Sequence, residues 1–296
     1  MSVPPPSPAP PLRHAIVPAG GRGTRMRPLS VAVPKELLPV GRLPVVEHVV
    51  GELAAAGVEH VTIVTATGKH ALEDHLEARA QEHGDWPALA AVRQPQPRGL
   101  GDAILRAAPW CGDEPFAIAL GDALLPADGA LVRRLGRAIA DGAAAAVAVE
   151  AVAADHVGAY GVVAPTAAGA DAARAAEQGV AVAAPIPLAG LVEKPDPERA
   201  PSRLVVAARY AAGPSLVRAL RETPPGRGGE VQLTDALDRL VRDGAPVVAV
   251  PLLPGEQRRD AGTLDGWWRA CIDAALADPE HGAAIGAHLR QRLAAP

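Results

Sequence analysis

AGGRGTRMRPLSVAVPKE, Ala19 to Glu36, follows a short apolar run, His14-Ala15-Ile16-Val17. The run reads as a first β-strand. Gly20, Gly21 and Gly23 then make a loop with almost no side chain, in which backbone N–H groups can close around an anion. Arg25 adds a planar fork of donors and Lys35 a compact point charge. A glycine-rich turn after a strand, with an arginine and a lysine at fixed distances, is chemistry for holding a triphosphate. The commoner phosphate loops are absent. No lysine directly follows the glycines, as GxxxxGK[ST] requires, and the third glycine of GxGxxG is missing. GGRG alone reads equally well as a plain glycine-rich turn; Pro34-Lys35-Glu36 tips the balance towards a phosphate site.

Outward from that loop, strands and helices alternate. Leu43–Ala56 carries apolar residues at helical spacing and stops at Gly57. Val61–Thr65 reads as a strand, Ala71–His83 as a polar-faced helix, Ala90–Gln94 as a strand and Leu100–Ala108 as a short helix after Gly99. Phe116–Leu120 is a buried strand, Leu131–Asp141 a helix and Ala145–Ala151 a strand. This rhythm predicts an α/β fold with a doubly wound, mostly parallel sheet and helices on both faces. From Tyr160 the pattern changes. Gly161–Ala164, Leu188–Val192 and Val205–Tyr210 are short strands between Pro- and Gly-rich turns, suited to a smaller mixed sheet. Ala167–Ala184 is Ala-rich and of low complexity, which predicts a mobile hairpin arm. Gln232–Asp243 and Val247–Pro251 return to the core as helix and strand, and Leu264–Ala277 and Ala284–Leu293 close the chain as helices. Trp267-Trp268 anchors the first of these or sits in a subunit contact. The predicted division is a disordered, polyproline-like tail over 1–12, a main domain over 13–262 that includes a β-rich part at about 158–230, and C-terminal helices over 263–296.

Composition bounds the function. The 296 residues suffice for a large core, and with 49% hydrophobic but only 2% aromatic residues that core is built from Ala, Val, Leu and Ile. A net charge of −4 offers no global attraction to nucleic acid or an anionic membrane, so an anionic substrate must be held by local groups. Cys111 and Cys271 make neither a disulfide framework nor a metal-ligand spacing, as expected of thiols in a reducing cytoplasm. No apolar run reaches membrane-spanning length, and the N-terminus lacks the apolar centre of a signal peptide. Of 29 Lys and Arg residues only Lys35, Lys69 and Lys194 are lysines. A lysine kept against that bias invites a chemical reason, because arginine cannot replace a compact ammonium fitted beside a phosphate. Lys35 and Lys194 fall inside motifs, PKE and VEKP; no role is assigned to Lys69.

Further segments carry chemistry, each with a plainer alternative. Asp122 ends a buried strand in ALGDALL and could hold Mg²⁺, which takes one or two carboxylates plus substrate phosphates; it could also cap a turn. Asp260 in RRDAGT is balanced between metal ligand and helix cap. Gln94 in RQPQPRGLGDA has an amide that can donate to and accept from a uracil or thymine edge, with Gly99 letting backbone lie against the base; the alternative is a proline-ordered surface loop. In LVEKP, Glu193 can accept from hydroxyls while Lys194 meets a phosphate, or the pair is a charged strand end. Glu230 in GGEVQLTDAL reads, as a bare motif, equally as a helix start.

Together these strings resemble the sugar-nucleotide pyrophosphorylases, and PKELLPV, VEKP and EVQLTDA most resemble the bacterial UTP–glucose-1-phosphate uridylyltransferases, over roughly Ala15 to Ala275. The resemblance implies a Rossmann-like nucleotidyltransferase fold with a small β-rich sugar-binding part. It implies a cytoplasmic homo-oligomer, dimer or tetramer, that joins UTP and glucose 1-phosphate into UDP-glucose and pyrophosphate, with no nucleic-acid or membrane partner. Carried over residue by residue, it puts Arg25, Lys35, Asp122 and Lys194 in catalysis and Ala19, Gly20, Gly21, Glu36, Gln94 and Gly99 on the nucleotide. Gly161, Glu193, Lys194 and Glu230 fall on the sugar, and Asp122 and Asp260 on Mg²⁺. Three positions depart from the family pattern: Ala123 where a second acid is common, Ala208 in VAARY where glycine is common, and GRLP at 41–44 in place of a DKP-like turn. The last two bear on sugar specificity. A dTTP-using thymidylyltransferase is the alternative enzyme, favoured by QPQP and DAGT, and a non-catalytic sugar-nucleotide sensor is the alternative of another class.

Overall fold

The structure is a computed structural model; it describes residues 12–82, 84 and 86–294. In chain order, β1 (His14–Pro18), β2 (Pro39–Val40), β3 (Leu43–Pro44), α1 (Val45–Ala55), β4 (His60–Ala66), α2 (His70–Glu82), β5 (Ala88–Gln94) and α3 (Leu100–Ala107) form the first third. They are followed by β6 (Phe116–Ala119), β7 (Ala123–Leu124), α4 (Ala130–Ala140), β8 (Ala145–Ala151), β9 (Gly161–Pro165), α5 (Ala170–Glu177), β10 (Ile186–Glu193) and β11 (Leu204–Ala212). The chain ends with α6 (Pro214–Glu222), α7 (Leu233–Arg242), β12 (Val247–Pro251), β13 (Arg259–Asp260), α8 (Leu264–Leu276) and α9 (Gly282–Ala294).

Nine strands form one sheet in the order β5-β4-β1-β6-β11-β8-β12-β10-β9. β5, β4, β1 and β6 are parallel neighbours, as are β12 and β8. β11 lies between β6 and β8 and runs against both, and β10 runs against β12 and β9. The sheet is therefore mixed, which corrects the expected mostly parallel one. The strands expected to make a separate smaller sheet are continuous with the main one. Alternation within each strand explains why it is covered on both faces. Ile16, Phe116 and Ile118 join one cluster with α3, α6 and α7, while Ala15, Val17, Ala117 and Ala119 join a second with α1, α2 and α4.

Two further expectations change. Ala167–Ala184 is not a projecting hairpin: α5 lies on the sheet, with Ala173 buried in the first core cluster and the Glu177 carboxylate accepting from the Arg203 backbone N–H at 2.7 Å. The predicted helix at Leu43–Ala56 starts at Val45, because Pro44 pairs back through β3 onto Pro39 of β2. The tail expected over 1–12 falls outside the described residues except for Leu12, which is buried against Gly136 of α4. The C-terminal helices dock on the β2–β3 turn. Trp267 donates its indole N–H to the Pro39 carbonyl at 3.0 Å, whereas Trp268 is exposed. Arg42 of the GRLP turn pairs with Asp278 at 2.6 Å and Glu280 at 2.9 Å. That departure from the family pattern tethers the C-terminal helices, and Arg42 lines neither cleft described below.

Candidate active site

The glycine loop begins where β1 ends. Ala19 donates its N–H to the Val64 carbonyl of β4 at 2.8 Å, so the chain leaves the sheet tied to the neighbouring strand. A cleft of about 370 Å³ opens beyond it, lined by Gly20, Gly21, Arg25, Lys35, Glu36, Gln94, Gly99, Asp122 and Glu230. A second cleft of about 490 Å³ adjoins it, lined by Tyr160, Gly161, Glu193, Lys194, Ala208, Thr234, Arg258 and Asp260. Arg25, Leu100, Leu120 and Asp122 line both and form the seam. Arg25 makes no ion pair or side-chain hydrogen bond among the described residues, so its guanidinium is available to an anion at the seam.

Asp122 sits just beyond β6, at the carboxyl ends of the parallel strands. Its carboxylate accepts from the Lys35 ammonium. Burial opposes its charge, but Lys35 and then Arg25 hold Asp122 below the ordinary aspartate range. Burial likewise opposes the charge on Lys35, and Asp122 and Glu36 outweigh it. β13 pairs with β7, setting Asp260 opposite Ala123, so residues 87 and more apart in sequence from Lys35 converge on one point. A methyl built on Gly262 would lie 2.5 Å from Asp122 Oδ2 and 3.0 Å from Asp260 Oδ1, which puts both carboxylates around one small space. Among the described residues no group of three or more His, Cys, Asp or Glu could hold an ion alone. Two carboxylates completed by substrate oxygens suit a small, hard divalent cation. Ala123, the missing second acid, is buried in β7, where its carbonyl accepts from Arg209 at 2.9 Å.

The residues expected to face a base line the first cleft, apart from Ala19. Gln94 at the end of β5 donates from its amide nitrogen to the Gly99 carbonyl at 3.1 Å and to Asp102 Oδ2 at 2.7 Å. Its donors are thus committed within the protein, and the carbonyl oxygen is what it offers the cleft. Gly99 has φ +96, and a methyl there would fall 2.8 Å from both Glu230 Cβ and the Val231 carbonyl oxygen. Its glycine is required by that approach, and Glu230 lines the first cleft with Gln94 and Gly99, not the second with Gly161, Glu193 and Lys194. Ala19 is buried and lines neither cleft.

In the second cleft, Glu193 and Gly161 pair across β10 and β9. Thr234 donates to Glu193 Oε2 at 2.7 Å, and Lys194 pairs with Glu193 Oε1 at 2.9 Å. Lys194 (φ 47) and Ala208 (φ 62) are the non-glycine residues of positive φ among those described, and both line this cleft. Left-handed backbone outside glycine costs of order 1 kcal/mol and concentrates at functional sites. Ala208 owes its conformation to a bulge, where β11 slips register against β8 between Val206 and Tyr210.

Sequence reading missed four side chains. Arg209, 1% exposed, pairs with Glu52 and donates to the carbonyls of Ala208, Leu120 and Ala123, so it braces the turn that bears Asp122. Its signal was a lone charge inside an apolar strand. Arg258 pairs with Glu150 and lies 4.8 Å over the Tyr160 ring at the wall of the second cleft. Thr234 orients Glu193. Lys69 donates to Glu36 Oε2 at 2.7 Å and to the Ala19 carbonyl.

Known proteins resemble this chain over most of its length. The family model for nucleotidyl transferases matches residues 14–275. A UTP–glucose-1-phosphate uridylyltransferase of Streptococcus pneumoniae is 36% identical over 290 residues, 91% of this chain and 92% of the relative. A UTP-bound UDP-glucose pyrophosphorylase from Acinetobacter baumannii superposes with a TM-score of 0.79 at 30% identity, covering 95% of this chain and 99% of the other. A crystal structure of UDP-glucose pyrophosphorylase complexed with UDP-glucose gives 0.76 at 31% identity, over 88% and 98%. Matched almost end to end by that model and by these relatives, the chain belongs to the nucleotidyl transferase family, alongside the UTP–glucose-1-phosphate uridylyltransferases.

Proposed function

We propose that the protein transfers a uridylyl group from UTP to α-D-glucose 1-phosphate, giving UDP-glucose and pyrophosphate. The observation that carries this reading is the pair of adjoining clefts whose seam holds Arg25 and the Lys35–Asp122 pair. A reaction that joins a nucleotide to a sugar phosphate needs two pockets meeting at one charged point. The glycine-loop cleft takes the triphosphate and base, and the Glu193–Lys194 cleft takes the sugar. Relatives whose names carry UTP and UDP-glucose support the choice of substrates.

A phosphate oxygen of the sugar attacks the α-phosphorus in line with the departing pyrophosphate. No general base is required, because a phosphate monoester is largely ionised near pH 7 (second pKa about 6). The residues act by positioning and by meeting charge. Arg25 and Lys35 hold the pyrophosphate, Lys194 holds the attacking phosphate, and Glu193, steadied by Thr234, accepts from sugar hydroxyls. Gln94 presents its carbonyl oxygen to the base, where it can accept from the N3–H of uracil. Asp122 and Asp260 would hold Mg²⁺, which supplies Lewis-acid polarisation of the α-phosphate when bound. The seam thus gives Lys35 two anionic partners, Asp122 and the phosphates, and a cation held by Asp122 would leave the ammonium to the phosphates.

The test is pyrophosphate release over a matrix of UTP, dTTP, CTP, ATP and GTP against glucose, galactose and N-acetylglucosamine 1-phosphates. UTP with glucose 1-phosphate is expected to be the preferred pair. A clear preference for dTTP, or binding without turnover for every pair, would overturn the reading.

A further inference from the structure

Lys69 is buried at the start of α2, and nothing in the proposed chemistry uses it. It lines neither cleft. Its ammonium lies between two groups of the nucleotide-side wall that are far apart in sequence. It donates to Glu36 Oε2 at 2.7 Å, across 33 residues, and to the backbone carbonyl of Ala19, across 50 residues. Glu36 is 1% exposed and lines the nucleotide cleft beside Lys35. Ala19 is the last residue before the glycine loop, and its N–H is already tied to Val64. The ammonium therefore joins the residue just before the loop to the residue that follows Lys35.

We infer that Lys69 is a positioning residue for nucleotide binding, fixing the glycine loop and the Lys35-Glu36 turn against one another as a single cradle. This rests on the reading of the Gly20–Glu36 cleft as the triphosphate pocket. The loop's N–H groups can grip phosphate only if they are held at a set distance from Lys35, and Gly20 and Gly21 have no side chains with which to hold themselves. Lys69 supplies that constraint from behind. Its surroundings suit such a brace, because burial disfavours charge on both partners, pushing Glu36 up and Lys69 down, so each is held in place chiefly by the other. Arginine, the abundant cation of this chain, has a planar fork that does not fit a carboxylate and a lone carbonyl converging on one nitrogen.

The inference is tested with the full chain by titration calorimetry of UTP, together with steady-state constants for both substrates. Lys69→Met should weaken UTP binding on the order of tenfold, the scale for removing a supporting hydrogen-bond partner of a site. The KM for glucose 1-phosphate should stay within about twofold, since Lys69 does not touch the sugar cleft. Because Lys69→Met strands a buried carboxylate and could fail to fold, Glu36→Gln and the double variant Glu36→Gln/Lys69→Met are measured beside it. Glu36→Gln keeps the ammonium on Ala19 and so reports the share due to Glu36 alone. The double variant carries no unpaired charge, and it should fold with near-normal thermal stability yet bind UTP several-fold more weakly than Glu36→Gln. Equal UTP affinity in those two, or an equal rise in both substrate constants for Lys69→Met, would overturn the inference. A wild type that binds UTP without releasing pyrophosphate would refute the proposed reaction and leave Lys69 to be judged on binding; a wild type that binds no triphosphate would refute both.

Discussion

Asp122 and Asp260 are separated in sequence by most of the sheet, yet a methyl on Gly262 would touch both carboxylates. That single position offers a way to disturb the proposed cation site without altering charge. Gly262→Ala should force the two carboxylates apart and weaken Mn²⁺ or Mg²⁺ binding about tenfold, with far-UV dichroism and melting close to the parent; unchanged cation affinity would separate the pair from metal binding. Ala208 poses the converse question. Its left-handed backbone would suit glycine, and the unfolded-chain entropy gained by glycine, roughly 0.4–1 kcal/mol, offsets the strain released. Ala208→Gly should therefore change stability by less than about 1 kcal/mol. It should nonetheless shift the ratio of kcat/KM between glucose 1-phosphate and bulkier sugar 1-phosphates by up to about tenfold, the scale of one carbon in a pocket. An unchanged ratio would mean that residue 208 does not set the size of the sugar cleft. At this scale the sequence was most legible where a residue's chemistry is its own signal: Arg25, Lys35, Asp122, Glu193 and Lys194 all line the clefts. It was least legible where a residue works through a partner. Lys69 has no local signal of its role because Ala19 and Glu36 reach it only in the folded chain, and Gln94 spends its donors on Asp102, eight residues on, which composition could not show.

Elements repeat this division between local and long-range information. The strands and helices around β1, β4, β6 and β8 were predicted close to their observed bounds because apolar periodicity and glycine stops are local properties. Strand order is not local. β11 is inserted antiparallel between β6 and β8, and its bulge carries Ala208 to the cleft and Arg209 under the Asp122 turn. Nothing in LVVAARYAA announces those neighbours, although a lone arginine amid apolar residues announces a buried partner. α5 escaped for a different reason: alanine on every side hides which face is apolar, so an amphipathic helix reads as low complexity. Packing distinguishes the two readings. Ala173 is buried on the sheet, and Ala173→Asp should cost about 3 kcal/mol or more in denaturant unfolding, the penalty for an unpaired buried carboxylate. Arg174→Ala on the exposed face of the same helix should cost no more than about 0.5 kcal/mol. Equal, small costs at both positions would return 167–184 to the status of a detached arm.

For the whole molecule, the arrangement of two clefts around one seam makes a statement about separability. The wall proposed for the nucleotide is built from the first parallel strands and their loops, the wall proposed for the sugar from β9, β10 and β11, and the two walls belong to one continuous sheet. A rigid sheet can keep the reacting phosphates in line while letting each wall be altered on its own, since sites without shared partners contribute additively. Lys194→Met should lower kcat on the order of 10²–10³-fold, the scale for losing one charge-stabilising donor, and raise the KM for the sugar phosphate while leaving UTP binding near normal. Gln94→Ala should do the reverse. It should narrow the preference for UTP over CTP by an amount set by the roughly 1–3 kcal/mol cost of an unpaired polar group, with the sugar phosphate constant unchanged. In the double variant the two losses should add, because Lys194 and Gln94 share no hydrogen-bond partner. Asp122→Asn, at the seam, should depress both affinities together. Steady-state constants for the four variants against both substrates decide the matter: if Lys194→Met shifts UTP affinity as strongly as sugar-phosphate affinity, the clefts are not independent walls of one site, and the division of binding along the sheet is wrong.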